Sequence, residues 1–187
     1  PPRSTLFPYT TLFRSLMAGE NRQEEHLKRN PSGQMPALEL DDGSYLAEIT
    51  AICEYLDEKN GGTDLMGKTP EERAETRMWT RRIDLQIIEP MTTGFRYAEG
   101  LELFKTRMQT FPEAADGFKS IAKEKCSWLN EQMEGKEFVC GDRFSLADVM
   151  LFCFLNFGAT VGQAISEDCT NLLAWFERVK ARSSASA

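Results

Sequence analysis

Histidine is almost missing from this sequence. The one example, His26, has no cysteine, serine or carboxylate beside it at nucleophile or ligand spacing, so it reads as a surface residue and excludes a histidine-based triad or metal cluster. The five cysteines, Cys53, Cys126, Cys140, Cys153 and Cys169, are odd in number, widely spaced and form no CxxC pair. That spacing excludes a zinc site and a disulfide framework, and it fits a reducing, cytoplasmic compartment. Positive charge is in deficit, 22 Lys+Arg against 29 Asp+Glu, so the basic footprint that a nucleic-acid backbone demands is lacking. The longest apolar run, Leu146 to Phe157, falls far short of the ~20 residues that cross a bilayer. No metal, nucleic acid or membrane is therefore expected as a partner. What remains is a globular chain of 187 residues, 41% hydrophobic, long enough for one ordinary domain or two small ones.

The opening string PPRSTLFPYTTLFRS carries Arg3 and short apolar stretches but no convincing cleavage site, which argues against a secretory leader. Read in one frame, a common short-read sequencing adapter translates to the same string, residue for residue. Residues 1–15 are accordingly taken as a non-native artefact, with biological sequence resuming at Leu16. A genuine N-terminal strand is the alternative.

From Leu16 to Asn30 the chain is polar and helix-compatible, with Glu24, Glu25, Lys28 and Arg29 set for i,i+4 pairing, and Pro31 ends it. Ala37 to Leu40 and Ser44 to Leu46, parted by Asp41, Asp42 and Gly43, predict a β-hairpin. Ile49, Ile52, Tyr55 and Leu56 then recur at helical spacing, so Glu48 to Glu58 reads as an amphipathic helix packed on the hairpin. Asn60, Gly61 and Gly62 stop it, and residues 63–69 form a linker between two domains. Beyond the linker everything reads as helix. Thr69, Pro70 and Glu72 carry the start signals of a helix that runs to about Ile88, where Pro90 breaks or kinks it. Leu101 to Met108 completes a helical hairpin, and Phe118, Ile121, Ala122, Lys125, Trp128, Leu129 and Met133 carry the next helix to Gly135. FSLADVMLFCFLNF is apolar on almost every face and is expected to be the core helix, surrounded by the others, with Ser145 capping it and Asp148 at its third position. Leu172, Leu173, Trp175, Phe176 and Val179 mark the last helix.

A hairpin and helix followed by a linker and about five helices is a pattern with few precedents, and two motifs make a likeness specific. NPSGQMPALELDDGSYLAEITAICEYL resembles the second half of the thioredoxin-like domain of cytosolic glutathione S-transferases, whose usual form is NPxGxVPxL, an acidic DG turn, then ESxAIxxYL. GDRFSLADVMLF is similar to the start of that family's core helix, and the two motifs stand in the family's order about 110 residues apart. The fold class implied is α+β then all-α. A partial thioredoxin-like, glutathione-binding domain would occupy residues 16–62, and an all-helical glutathione-transferase C-terminal domain residues 70–187.

Met35 and Pro36 are the sharpest candidates for a binding role. A cis X-Pro bond costs only ~0.5–1 kcal/mol over trans, and before a strand it would turn the amide and carbonyl of Met35 outward. Glutathione, an extended peptide, could then add to that edge as a strand does, which is the role the resemblance implies for Met35. The plain alternative is a turn before a strand. Glu48 and Ile49 stand at a helix start, where unpaired amides and a partial positive charge suit a carboxylate. The resemblance implies that this end holds the γ-glutamyl group, with Glu48 facing its ammonium and the amide of Ile49 its carboxylate. The family usually has Ser where Ile49 stands, so the hydroxyl is lost and the amide kept, and Thr50 points about 100° away around the helix. Otherwise Glu48 simply complements the helix dipole. Gln34 either reaches the glycine end of the tripeptide or is a solvated turn residue.

Arg73, Arg77, Arg81 and Arg82 carry either anion selectivity and intersubunit pairs or a solvated face. Trp79, Phe95 and Tyr97 line an electrophile pocket or pack the core. Cys153 is expected inside the core as a small hydrophobe, and Cys53 has nothing nearby to lower its pKa.

The resemblance implies attack of the glutathione thiolate on a hydrophobic electrophile or a peroxide, with glutathione as substrate or cofactor, in a homodimer with a detoxification role. The family's thiol-activating hydroxyl or thiol lies just after its first strand, which falls before Leu16. The chain is therefore expected to be N-terminally truncated, without its catalytic residue and without transferase activity. The contrasting class is a non-catalytic binding or assembly module of the same fold, and a lyase, isomerase or dehalogenase that uses glutathione as cofactor is a third.

Overall fold

The computed structural model describes residues 18–62 and 65–186. The opening string of residues 1–15, whether artefact or strand, and the expected thiol-activating position lie outside them. The chain divides between Gly61 and Gly62 into two compact units, which are taken in turn.

In the first unit a single 3-10 turn at Glu20–Arg22 leads into α1 (Glu24–Arg29). Six residues are too few for an isolated helix, and two exposed i,i+4 ion pairs, Lys28–Glu24 at 2.8 Å and Arg29–Glu25 at 2.6 Å, brace it weakly. β1 (Ala37–Glu39) and β2 (Tyr45–Ala47) pair antiparallel with Leu38 opposite Leu46. Their turn is set by Asp42, whose carboxylate accepts the amide and hydroxyl of Ser44 at 2.9 and 2.6 Å and is thereby held below its ordinary pKa. α2 (Ile49–Lys59) follows at once and packs against β2, with Ile52 buried. Ile49 does not join that stripe, being 43% exposed, because the helix begins beyond the end of a sheet only three residues deep.

The second unit opens with α3 (Pro70–Ile83), started by a reciprocal cap. The Glu72 amide donates to Thr69 Oγ1 at 3.2 Å, while the Glu72 carboxylate accepts the amides of Lys68 and Thr69 at 2.7 and 3.3 Å. Of the two outcomes expected at Pro90, a break or a kink, the break does not occur. The helix widens into a π-turn at Asp84–Ile88 and continues as α4 (Glu89–Tyr97). Pro90 has no N–H to give and crowds the carbonyl four residues back, and the wider turn accommodates both defects without breaking the helix. α5 (Leu101–Phe104) is a single turn, so the hairpin partner of α4 is α6 (Ala115–Gln132) and not the segment after Leu101.

α7 (Leu146–Thr160) and α8 (Thr170–Lys180) complete the bundle. Its core is built from Ile83, Ile87, Met91, Leu129, Leu151, Leu155, Leu172 and Trp175, each at most 2% exposed. α7 is central but not enclosed. Cys153 sits two residues from both Leu151 and Leu155, hence on the opposite side at 100° per residue, and it is exposed where the sequence suggested core. Ile121 is likewise exposed on α6. No helix among the described residues is long and apolar enough to cross a membrane.

One buried carboxylate organises the start of α7. Asp148 is 0% exposed; its Oδ2 accepts the amide and hydroxyl of Ser145 at 2.9 and 3.1 Å, and its Oδ1 accepts the Val139 amide at 2.9 Å and Trp175 Nε1 at 2.8 Å. Ser145 and Asp148 are thus structural caps, as the pattern implied. Replacing Asp148 by Ala orphans four donors, of which at least three have no water to turn to. At roughly 1–3 kcal/mol per orphaned buried group, Asp148→Ala should lower the unfolding free energy by at least ~3 kcal/mol. Urea denaturation followed by tryptophan fluorescence checks this, and a loss below about 1 kcal/mol would contradict the assignment.

Candidate functional site

The pairing of Ala37 with Ala47 sets the beginning of β1 beside the end of β2. Pro36 and Glu48 are the residues just beyond that pair on the two strands, so the segment Gln34–Met35–Pro36 and the start of α2 lie at one end of the hairpin. Gln34, Met35, Pro36, Glu48 and Ile49 all lie at that end.

The loop leading to Met35 is held from α1 and the turn before it. Asn30 is buried; its Nδ2 donates to the Gln34 carbonyl at 2.9 Å, and its Oδ1 accepts the amide and hydroxyl of Ser32 at 3.2 and 2.9 Å. His26 is not a free surface residue, because its Nε2 lies 2.9 Å from the same Gln34 carbonyl. A carbonyl only accepts, so Nε2 carries the proton. Asn21, 3% exposed, donates to the Gly33 carbonyl at 2.6 Å. Gly33 has φ 64, and a Cβ there would stand 2.9 Å from Arg22 Nη1 and 3.2 Å from the Asn21 carbonyl, so only glycine fits. The carbonyls of Gly33 and Gln34 are thus turned back into the protein, leaving the next residue as the presenting one. The Met35–Pro36 bond is cis, and the amide and carbonyl of Met35 enter none of the backbone hydrogen bonds among the described residues. Sequence reasoning passed over Asn21, His26 and Asn30 as scaffold. The available signal was the i,i+4 spacing of His26 on α1 and Asn30 just past its end.

Where α2 begins, Glu48 has φ 70 and ψ 119 and is the non-glycine residue with positive φ among those described. Such a conformation costs ~1–3 kcal/mol and persists only where its surroundings enforce it. No side chain caps this helix, in contrast to α3 and α7, and the first turn closes with the Ile52 amide on the Glu48 carbonyl at 2.9 Å. The amides of Ile49, Thr50 and Ala51 therefore have no acceptor within the helix. Glu48 and Ile49 are exposed and Thr50 is half-buried. An exposed carboxylate beside a set of unpaired amides at a positive dipole end is complementary to the ammonium and carboxylate of an α-amino acid. The main chain of Met35, at the same end of the hairpin, is complementary to an extended peptide. Cys53 is half-buried on α2 and burial pushes its thiol up, which disfavours the nucleophilic thiolate. Among the described residues no group of His, Cys, Asp and Glu could hold a metal ion.

The candidates on the long helix have partners inside the second unit. Trp79 is 6% exposed, with Arg82 and Lys136 each 5.1 Å from its ring and Trp128 beside it, so it packs the core. Phe95 meets Phe104 and Phe157 edge-on, and Tyr97 meets Phe111 and Phe118 in the same way. Arg73 donates to the Gly67 carbonyl at 3.5 Å and Arg81 pairs with Asp84 at 3.6 Å.

Comparison with known proteins agrees with this architecture at both ends of the chain. The description "Glutathione S-transferase, N-terminal domain" matches residues 8–59, and "Glutathione S-transferase, C-terminal domain" matches residues 103–183. Glutathione S-transferase 2 of Saccharomyces cerevisiae is 34% identical over 175 residues, 91% of this chain and 73% of that protein. The crystal structure of Gtt2 from the same yeast is similar with a TM-score of 0.84 at 34% identity, covering 91% of this chain and 82% of the other. Elongation factor 1-gamma of Rattus norvegicus is 30% identical over 135 residues, which are 72% of this chain but 29% of that longer protein. With a two-stranded hairpin and helix followed by a helical bundle, and with matches that run through both, the chain belongs to the glutathione S-transferase family.

Proposed function

We propose that this is a glutathione transferase chain whose first unit binds glutathione along the Met35 main chain and at the start of α2. The cysteinyl backbone pairs with the amide and carbonyl of Met35, the residue just before the cis bond to Pro36. The γ-glutamyl carboxylate sits on the amides of Ile49 and Thr50, its ammonium faces Glu48, and Gln34 is nearest the glycine end. The observation that carries this reading is the convergence, at one end of the hairpin, of an unpaired peptide edge with an uncapped helix start held at positive φ. In the parent reaction the bound thiolate attacks a hydrophobic electrophile or reduces a peroxide. The protein acts as a homodimer in the cytoplasm, a compartment that suits its free cysteines.

Thiolate formation needs a group that lowers the thiol pKa. Burial raises the thiols of Cys53, Cys126, Cys140 and Cys153, which disfavours each of them in that role, and we infer that the chain as given turns over little. The second reading, a non-catalytic module, is favoured by Ile49, which removes a hydroxyl from the proposed site, and by the similarity to elongation factor 1-gamma.

Retention on immobilised glutathione separates the two readings, since an assembly module has no need of the tripeptide. Glu48→Ala should weaken glutathione binding about tenfold by removing the partner of an ammonium, and Ile49→Ser should tighten it by up to about tenfold through one added hydrogen bond. Isothermal titration with glutathione measures both, and an Ile49→Ser chain that binds no better than its parent would argue against the placement. Conjugation of an aryl halide should stay near the uncatalysed rate. For the homodimer, Met78 and Leu85, 40% and 50% exposed and seven residues apart along the long helix, are assigned to the subunit contact. Leu85→Glu should shift the chain to monomer in light scattering while leaving its helix content unchanged.

A further inference from the structure

Asn60 is the one asparagine of this chain that is followed by glycine, and the pair closes the first unit. It stands just past the end of α2, where Asn60 has φ −92 and ψ 17 and Gly61 turns the chain at φ 90. Both residues are exposed, and a Cβ built on Gly61 would meet no atom beyond its chain neighbours within 4 Å. The backbone nitrogen of Gly61 is therefore shielded neither by a side chain of its own nor by a packed neighbour.

Three hydrogen bonds hold this end. The amide and Nδ2 of Asn60 both donate to the Leu56 carbonyl, at 3.1 and 2.7 Å, and the Gly61 amide donates to the Glu58 carbonyl at 3.1 Å. Attack of the Gly61 nitrogen on Asn60 Cγ requires that nitrogen to eclipse Cβ about the Cα–C bond, and at ψ 17 it is turned well away. The folded turn thus guards the pair. All three bonds, however, belong to the exposed last turn of a helix, the part that frays at little cost. Once the turn opens, the bare Gly61 leaves the rotation unhindered and the two groups meet in a five-membered ring.

We propose that Asn60 is a self-modification site, converting through a succinimide to isoaspartate and aspartate, and that the isoaspartate form is a methyl acceptor for enzymes that esterify isoaspartyl carboxylates. The Gly61 nitrogen gives its proton to solvent hydroxide and bonds to Asn60 Cγ, the Cγ–Nδ2 bond breaks, and ammonia leaves. Water then opens the ring at either carbonyl, giving aspartate or, with one more methylene in the main chain, isoaspartate. Either product replaces the Nδ2 donor by a carboxylate beside the Leu56 carbonyl, at the negative end of the helix dipole, so the last turn of α2 does not close again. The site lies at the opposite end of α2 from the proposed glutathione contacts and stands whether or not the chain is a transferase.

The full chain is kept for several days in mildly alkaline buffer at body temperature, and its peptides are then mapped by mass spectrometry. A gain of about 1 Da is expected on the peptide that holds Asn60. Asn156, exposed but inside α7 and followed by Phe157, should keep its mass. Isoaspartate should exceed aspartate, read as methyl groups taken from S-adenosylmethionine by an isoaspartyl methyltransferase. Hydrogen exchange of the aged chain should show the amides of Asn60 and Gly61 losing their protection. Asn60→Gln should abolish both the mass gain and the methyl acceptance. Unfolding in urea should speed the change several-fold, and Gly61→Ala, compared in urea so that folding plays no part, should slow it several-fold. No gain at Asn60 overturns the proposal, as does an equal gain at Asn156. So does aspartate without isoaspartate, because the side chain is then hydrolysed without a ring, or a Gly61→Ala chain that reacts as fast as its parent. A folded rate equal to that in urea would contradict the guarding turn.

Discussion

The buried carboxylate of Asp148 is the constraint on which the helical unit depends. Four donors from three places in the chain converge on it: the Val139 amide before the final turn, the Ser145 cap, and the indole of Trp175 on α8. Helix start, incoming loop and last helix are thereby set by one group, and α7 leaves that point in a fixed direction with Leu151 and Leu155 in the core. Burial raises the Asp148 pKa against the pull of its four hydrogen bonds. Between the ordinary aspartate value and the raised one, the folded chain keeps a proton that the unfolded chain has released. The contribution of Asp148 to stability therefore falls as pH rises through that interval. An apolar residue would remove the desolvation cost but leave the donors stranded, and that asymmetry explains why a carboxylate occupies so dry a position.

The two units treat their helix starts in opposite ways. α3 and α7 satisfy their first amides with their own side chains, Thr69 with Glu72 and Ser145 with Asp148. α2 has no such cap and begins on a glutamate with positive φ. A side-chain cap at Glu48 would satisfy those amides but occupy the groups that the proposed reading gives to a ligand carboxylate. The strain and the orphan donors thus belong together, one exposing the amides and the other keeping them free, and they lie where β1 presents its unpaired edge.

The parts of the fold written locally were legible in the sequence. The cap signature TPEE, the DDG turn and the spacing from Ser145 to Asp148 each involve residues within four positions, and each gave its element. Contacts between distant positions were not legible. Nothing near Trp175 announces that its indole meets Asp148, and nothing near His26 shows that it holds the Gln34 carbonyl. Pro90 left a break and a kink open because a proline removes a hydrogen bond in any helix, while the π-turn that absorbs the loss is visible only in the backbone. Cys153 misled for a related reason: a helix can be apolar all round and still present one side outward. At the site, Gly33, Asn30 and Pro36 were readable as a motif, but which of them presents and which supports depended on carbonyl directions that no residue type encodes.

That division has a consequence for Ile49. On the proposed reading, glutathione is held mainly by main-chain groups, the amide and carbonyl of Met35 and the first amides of α2, with Glu48 as the contributing side chain. Main-chain groups survive substitution as long as the backbone path does, and that path is held by Asn21, His26, Asn30 and Gly33, none of which is among the proposed ligand contacts. Exchanging a serine for Ile49 then removes one hydrogen bond out of several, whereas disturbing Asn30 or Gly33 would move the edge itself. On that reading the residues that matter most are those that shape the backbone leading to Met35: Asn21, His26, Asn30 and Gly33.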